Sequence, residues 1–171
     1  MKTLRALALC GSVVSLATTV AVAQDYLRAD HKMLGHRIQS SQQHAQDHAQ
    51  TLYSAPQPIP KDDAKELVAQ MKKELAAADK ALNTLKAEVS KNKEAVDLIE
   101  SIKKHHAKAH EHCGMAEEFC LKEPLEKDEV GNCCADMYHE LEAAKAETDK
   151  LLKMLKISKP EPPKKPAPKK K

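Results

Sequence analysis

Aromatic side chains are almost missing from this chain. Phe, Tyr and Trp together make up 2% of its 171 residues, with one Phe and no Trp. Glycine is scarce too, at four residues, and no GxGxxG or GxxxxGK run is present, which excludes the glycine-rich phosphate cradles. There is no CxxCH for covalent haem attachment and no paired CxxC for a finger-type zinc site. No Glu-x-x-His pair offers the inward carboxylates of a di-iron bundle, and an enzyme is not expected. A basic folded surface is also lacking. The formal net charge is +3, but residues 159–171 alone hold six Lys and one Glu. Without that tail, Lys2 and Arg5, there remain 20 basic and 24 acidic residues, so no nucleic-acid partner is expected.

What remains is mostly Ala, Leu, Lys, Glu and Gln, the composition of an all-helical protein. The N-terminus is an exception. Lys2 and Arg5 precede an apolar run from Ala6 to Val20, and Ala21-Val22-Ala23 fits the small-x-small cleavage rule. Residues 1–23 are therefore read as a signal peptide that takes Cys10 with it. The mature chain, from about Gln24, is expected to be extracytoplasmic, periplasmic or secreted, with no membrane span. The other end, KPEPPKKPAPKKK, is read as a disordered Lys/Pro-rich tail over 159–171, suited to anionic cell-envelope components.

Between them, over 24–158, the periodicity predicts an up-down-up-down antiparallel four-helix bundle. The first helix spans Asp25 to Tyr53, with a stripe of Leu27, His31, Leu34, Ile38, Ser41, Ala45, His48 and Leu52. A proline-rich run, Pro56 to Pro60, ends it. The second starts near Lys61 and shows Ala64, Leu67, Met71, Leu75, Ala78, Leu82, Leu85 and Val89. The third, Lys93 to Leu121, shows Ala95, Ile99, Ile102, His106, Ala109, Cys113, Ala116 and Cys120. The fourth begins between Pro124 and Asp128, with Asp128 as candidate N-cap, and runs to about Ile157. Its stripe is Val130, Cys134, Met137, Leu141, Ala144, Thr148, Leu151 and Leu155.

Soft ligands are concentrated between His105 and His139. That stretch holds four of the five cysteines, five of nine histidines and two of six methionines. Counting outward from the three connections puts His48, Leu67 or Met71, His110 or Cys113, and Cys134 or Met137 in one layer. Cys120 and Cys133 fall nearer the adjacent bundle end, and His44 and His106 a turn or two deeper. Thiolate, thioether and imidazole together suit Cu(I) first and Zn(II) next. The expected metal ligands are thus His44, His48, Met71, His106, His110, Cys113, Cys120, Cys133, Cys134 and Met137, serving buffering, delivery or sensing of copper or zinc.

Two other readings stay open. Exported cysteines often form disulfides, and bridges from Cys120 to Cys133 and from Cys113 to Cys134 would staple helices three and four into a structural or interaction bundle. A b-type haem held by His48 or His106 with Met71 or Met137 is the third reading.

A bundle whose core is lined by cysteines at helical spacing, with His and Met near its mouth, resembles the bacterial copper-storage proteins. His106, His110, Cys113, Cys120, Cys134 and Met137 carry the resemblance. It implies a Cu(I)-binding bundle. Those proteins have many more cysteines, on all four helices, so here the resemblance implies one or a few ions.

Overall fold

The computed structural model describes residues 14–55, 59–123 and 125–157, with side chains from residue 29 onward. Residues 1–13 of the expected signal peptide and the expected tail over 159–171 lie outside the described residues. Four helices follow one another: α1 Val14–Tyr53, α2 Lys61–Glu88, α3 Lys93–Leu121 and α4 Lys127–Met154. They form the expected bundle. Each backbone packs on two others, α1 on α2 and α4, and α3 on α2 and α4.

The ion pairs give the directions. His31 meets Glu88 at 2.9 Å and His44 lies 3.8 Å from Glu74, so α2 runs back along α1. Lys86–Glu100 and Lys61–Glu123 show the same reversal between α2 and α3.

The helix ends follow their local chemistry. Pro60 stands just before α2, whose first turn carries Asp62 and Asp63 against the positive end of the helix dipole. Asn92 caps α3 by accepting from the Ala95 N–H at 3.2 Å. The expected start of α1 at Asp25 is overtaken. The helix runs unbroken from Val14, because the sequence there has no breaker. Asp128 is not the cap of α4. The N-cap is Glu126, without a side-chain cap bond, and Asp128 and Glu129 sit inside the first turn. No helix among the described residues is long and apolar enough to cross a membrane.

At the far end of α4 the chain closes in a Schellman turn. The Ile157 N–H reaches back to Leu152 O at 2.8 Å and the Lys156 N–H to Lys153 O at 3.1 Å. This places Lys156 at φ 56°, a conformation glycine adopts without strain. It also folds Ile157 back onto α1 at Gly35, where an added Cβ would stand 2.6 Å from Leu152 Cδ2. Lys156→Gly is expected to stabilise the bundle by about 0.5–1 kcal/mol, the relief of the left-handed strain less the added freedom of the unfolded chain. Chemical denaturation measures it.

The core divides into two apolar clusters. One holds Ile38, Leu82, Leu85, Ile99, Ile102 and Leu151 among others, near the α2–α3 turn. The other, toward the α1–α2 and α3–α4 connections, combines small residues (Ala45, Ala49, Ala64, Ala109, Ala116) with Val68, Leu75, Val130 and Leu141, four cysteines and two methionines. A polar layer lies between them. On α1 Gln42 falls between Ile38 and Ala45. On α2 Asp79 falls between Leu75 and Leu82, and on α3 His106 falls between Ile102 and Ala109.

Candidate metal centre

The eight-residue stripe read on α3 is the buried set of that helix: Ala95, Ile99, Ile102, His106, Ala109, Cys113, Ala116 and Cys120. Cys113 and Cys120, seven residues apart, therefore both enter the core two turns from each other. From α4 come Cys133, Cys134 and Met137, and from α2 comes Met71. All six belong to the alanine-rich cluster, and Cys113, Cys120, Cys134, Met71 and Met137 are completely shielded from solvent. Cys133 keeps 7% of its surface exposed.

The four cysteines among the described residues, Cys113, Cys120, Cys133 and Cys134, are free thiols. The bridges Cys120–Cys133 and Cys113–Cys134 are not formed. Cys113 instead points its Sγ at the Val68 carbonyl of α2, 3.6 Å away. Burial pushes the Cys113 thiol up to about 11, with Lys72 pulling it down and Glu117 and Cys120 adding to the rise. Burial pushes Cys134 up to about 12, and its neighbours Cys113, Cys133 and Cys120 add to it. Cys120 is raised by burial, and Cys133 by burial and by the charges of Asp136 and Glu129. At neutral pH these are protonated, unreactive thiols that pack as small hydrophobes.

The two central histidines are placed differently from the expectation. His106 Nδ1–H donates to Asp79 Oδ1 at 2.7 Å, and His110 Nε2–H donates to Asp79 Oδ2 at 2.9 Å. Gln42 Nε2 lies 2.9 Å from His106 Nε2 and donates to Thr148 Oγ1 at 3.0 Å. One polar chain thus crosses all four helices. The amide nitrogen of Gln42 thus faces both Thr148 Oγ1 and the ring nitrogen of His106. Gln42 Oε1 is buried without a partner among the described residues. Burial raises the Asp79 carboxyl, but hydrogen bonds from His106 and His110, and their charges, outweigh it and hold it well below the usual carboxylate range.

Of the ten expected ligands, the structure brings six together: Met71, Cys113, Cys120, Cys133, Cys134 and Met137. His106 and His110 belong to the Asp79 network instead, because a carboxylate on α2 faces that HxxxH pair. His44 is turned outward, with 56% of its side chain exposed and Glu74 as its partner. His48 is half-buried, and Ala49 occupies the core position beside it. Among the described residues, no group of three or more His, Cys, Asp or Glu stands in a geometry ready to hold a metal ion.

No protein-family model, curated protein or solved structure matches this chain. The functional argument therefore rests on the chemistry of these side chains. Six sulfur-bearing side chains from three helices share this cluster, and no imidazole is a member of it. Such a set favours a soft monovalent ion over a hard divalent one.

Proposed function

We propose that the protein is an exported helical bundle that takes up Cu(I) through its sulfur-lined core, to buffer or deliver the ion. The observation that carries this reading is the convergence of four free thiols and two thioethers in one buried cluster. Cys113 and Cys134 are the central thiolate ligands, with Cys120 and Cys133 beside them. Met71 and Met137 supply neutral donors, which Cu(I) uses and Zn(II) largely does not. His44, His48, His106 and His110 are not part of this set. The donors must move closer together to bind, and the surrounding alanines leave little side-chain bulk to oppose that.

The test is thermal unfolding of the reduced protein under anaerobic conditions with and without Cu(I). An ion that binds only the folded state raises the melting temperature by mass action, by about 2.7 kcal/mol of stability at a hundredfold excess over Kd. Cys113→Ser should abolish most of that gain, and Met137→Leu should reduce it. A gain obtained equally with Zn(II) and indifferent to Met137 would reassign the site to zinc. No gain with either ion, together with destabilisation by Cys113→Ser only under oxidising conditions, would make the cysteines structural staples.

A further inference from the structure

Completely buried thiols pose a problem of access. A metal ion cannot reach Cys113, Cys120 or Cys134 without first meeting something at the surface. The four cysteines differ in this respect. Cys133 alone retains exposed area, 7%, while the other three have none. Glu129 and Asp136 stand four residues before it and three after it on α4, the spacing that puts side chains on one helix face, and their charges act on its thiol. Across on α3 stands His112, whose Nδ1 is shielded from solvent without a hydrogen-bond partner among the described residues, 3.9 Å from Asp136 Oδ2. Cys134 follows directly in sequence and points into the core.

We infer that Cys133 is the entry thiol of the protein, taking a cationic Cu(I) complex at the α3–α4 surface and passing the ion inward to Cys134. This rests on the Cu(I) reading of the core. Glu129 and Asp136 have a stated part in it. Their negative charge concentrates a cation at Cys133, as clefts lined by one sign of charge do for an oppositely charged ligand. The step is ligand exchange, with no change of oxidation state. Cu(I) held by a neutral ligand such as acetonitrile forms a bond to the Cys133 sulfur. One ligand molecule leaves, and the thiol proton goes to solvent. The Cys134 thiol then displaces a second ligand molecule and loses its own proton, and the Cys113 thiol displaces Cys133: the Cu–sulfur bond to Cys133 breaks, Cys113 gives up its proton and the Cys133 sulfur takes one back. The adjacent pair thus divides the work, one residue governing the rate of loading and the other the retention of the ion.

Two measurements test this. The first needs no metal. The reduced protein is treated with a limiting amount of iodoacetamide and mapped by mass spectrometry. Cys133 should be alkylated first, ahead of Cys113, Cys120 and Cys134. Modification at another cysteine first overturns the assignment and leaves the Cu(I) reading untouched. The second follows loading from the acetonitrile complex of Cu(I) by stopped flow, with equilibrium affinity measured separately against a chelator. Cys133→Ala should slow loading by about tenfold with a much smaller change in affinity, whereas Cys134→Ala should weaken affinity. Glu129→Gln with Asp136→Asn should slow loading by about tenfold at low salt and little at high salt. Equal effects of the two cysteine substitutions on rate and affinity overturn the division of labour. A wild-type protein that gains no stability from Cu(I) overturns the core reading and this step with it.

Discussion

Replacing Asp79 by alanine is expected to destabilise the bundle by about 2–4 kcal/mol, because it strands a buried ring N–H in the core. Asp79 is only partly exposed, yet both of its oxygens are occupied from α3. Its loss removes two hydrogen bonds and leaves His106, 1% exposed, with an unpaired donor between two apolar clusters. Asp79→Asn keeps an acceptor for His106 and should lose about half as much. Glu74→Ala removes only the long contact to exposed His44, and should change stability by less than about 0.5 kcal/mol. Urea denaturation at neutral pH ranks the three, and equal losses for Asp79→Ala and Glu74→Ala would refute the network.

The same carboxyl gives a pH limb. Its folded-state pKa is depressed below the unfolded value, so its contribution is fully present above about pH 4 and disappears as the pH falls below that. The stability difference between wild type and Asp79→Asn should therefore shrink as the solution is acidified from pH 5 toward pH 2. A difference that stays constant over that range would mean that Asp79 does not titrate with the fold.

The helical phase was legible in the sequence wherever a stripe was apolar and unambiguous. On α3 every position read as core is core, since Ile99, Ile102, Cys113 and Cys120 leave one choice of face. On α1 the stripe drifted. Steps of three and four residues both fit a helix, and Ser41 and His48 were chosen where the structure also buries Gln42 and buries Ala49 in place of His48. A histidine and an alanine side by side fit the same helical phase, and it is the alanine that packs. Asp79 is not legible as a network residue for a related reason. A single carboxylate beside Ala78 on a charged helix resembles any solvated position. The available signal was the HxxxH pair on α3, which needs an acceptor if it faces α2, and Asp79 lies within a turn of the level that the α2–α3 connection implies. The convergence of the cysteines could be counted from loop positions. Their protonation could not, because burial by α1 and α2 is a tertiary property.

That protonation leads to the second large effect. At pH 7 Cys113 and Cys134 are both thiols, with values pushed up to about 11 and about 12. Each Cu(I)–thiolate bond must therefore expel one proton over the whole range in which the protein is usable. Binding through both residues should gain about a hundredfold in apparent affinity for each unit of pH between 6 and 9. An ordinary exposed thiol would level off near pH 8.5, so the absence of a plateau by pH 9 distinguishes the buried pair from surface cysteines. Cys134→Ser should halve the slope to about tenfold per unit, and Met137→Leu should lower affinity without altering it, since a thioether carries no proton. Competition titrations against a Cu(I) chelator, corrected for the chelator's own protonation, give the slope directly. A slope near zero would place the ion on Met or His donors, away from the thiols. A tenfold slope in the wild type would mean that only one of the two buried cysteines is a ligand.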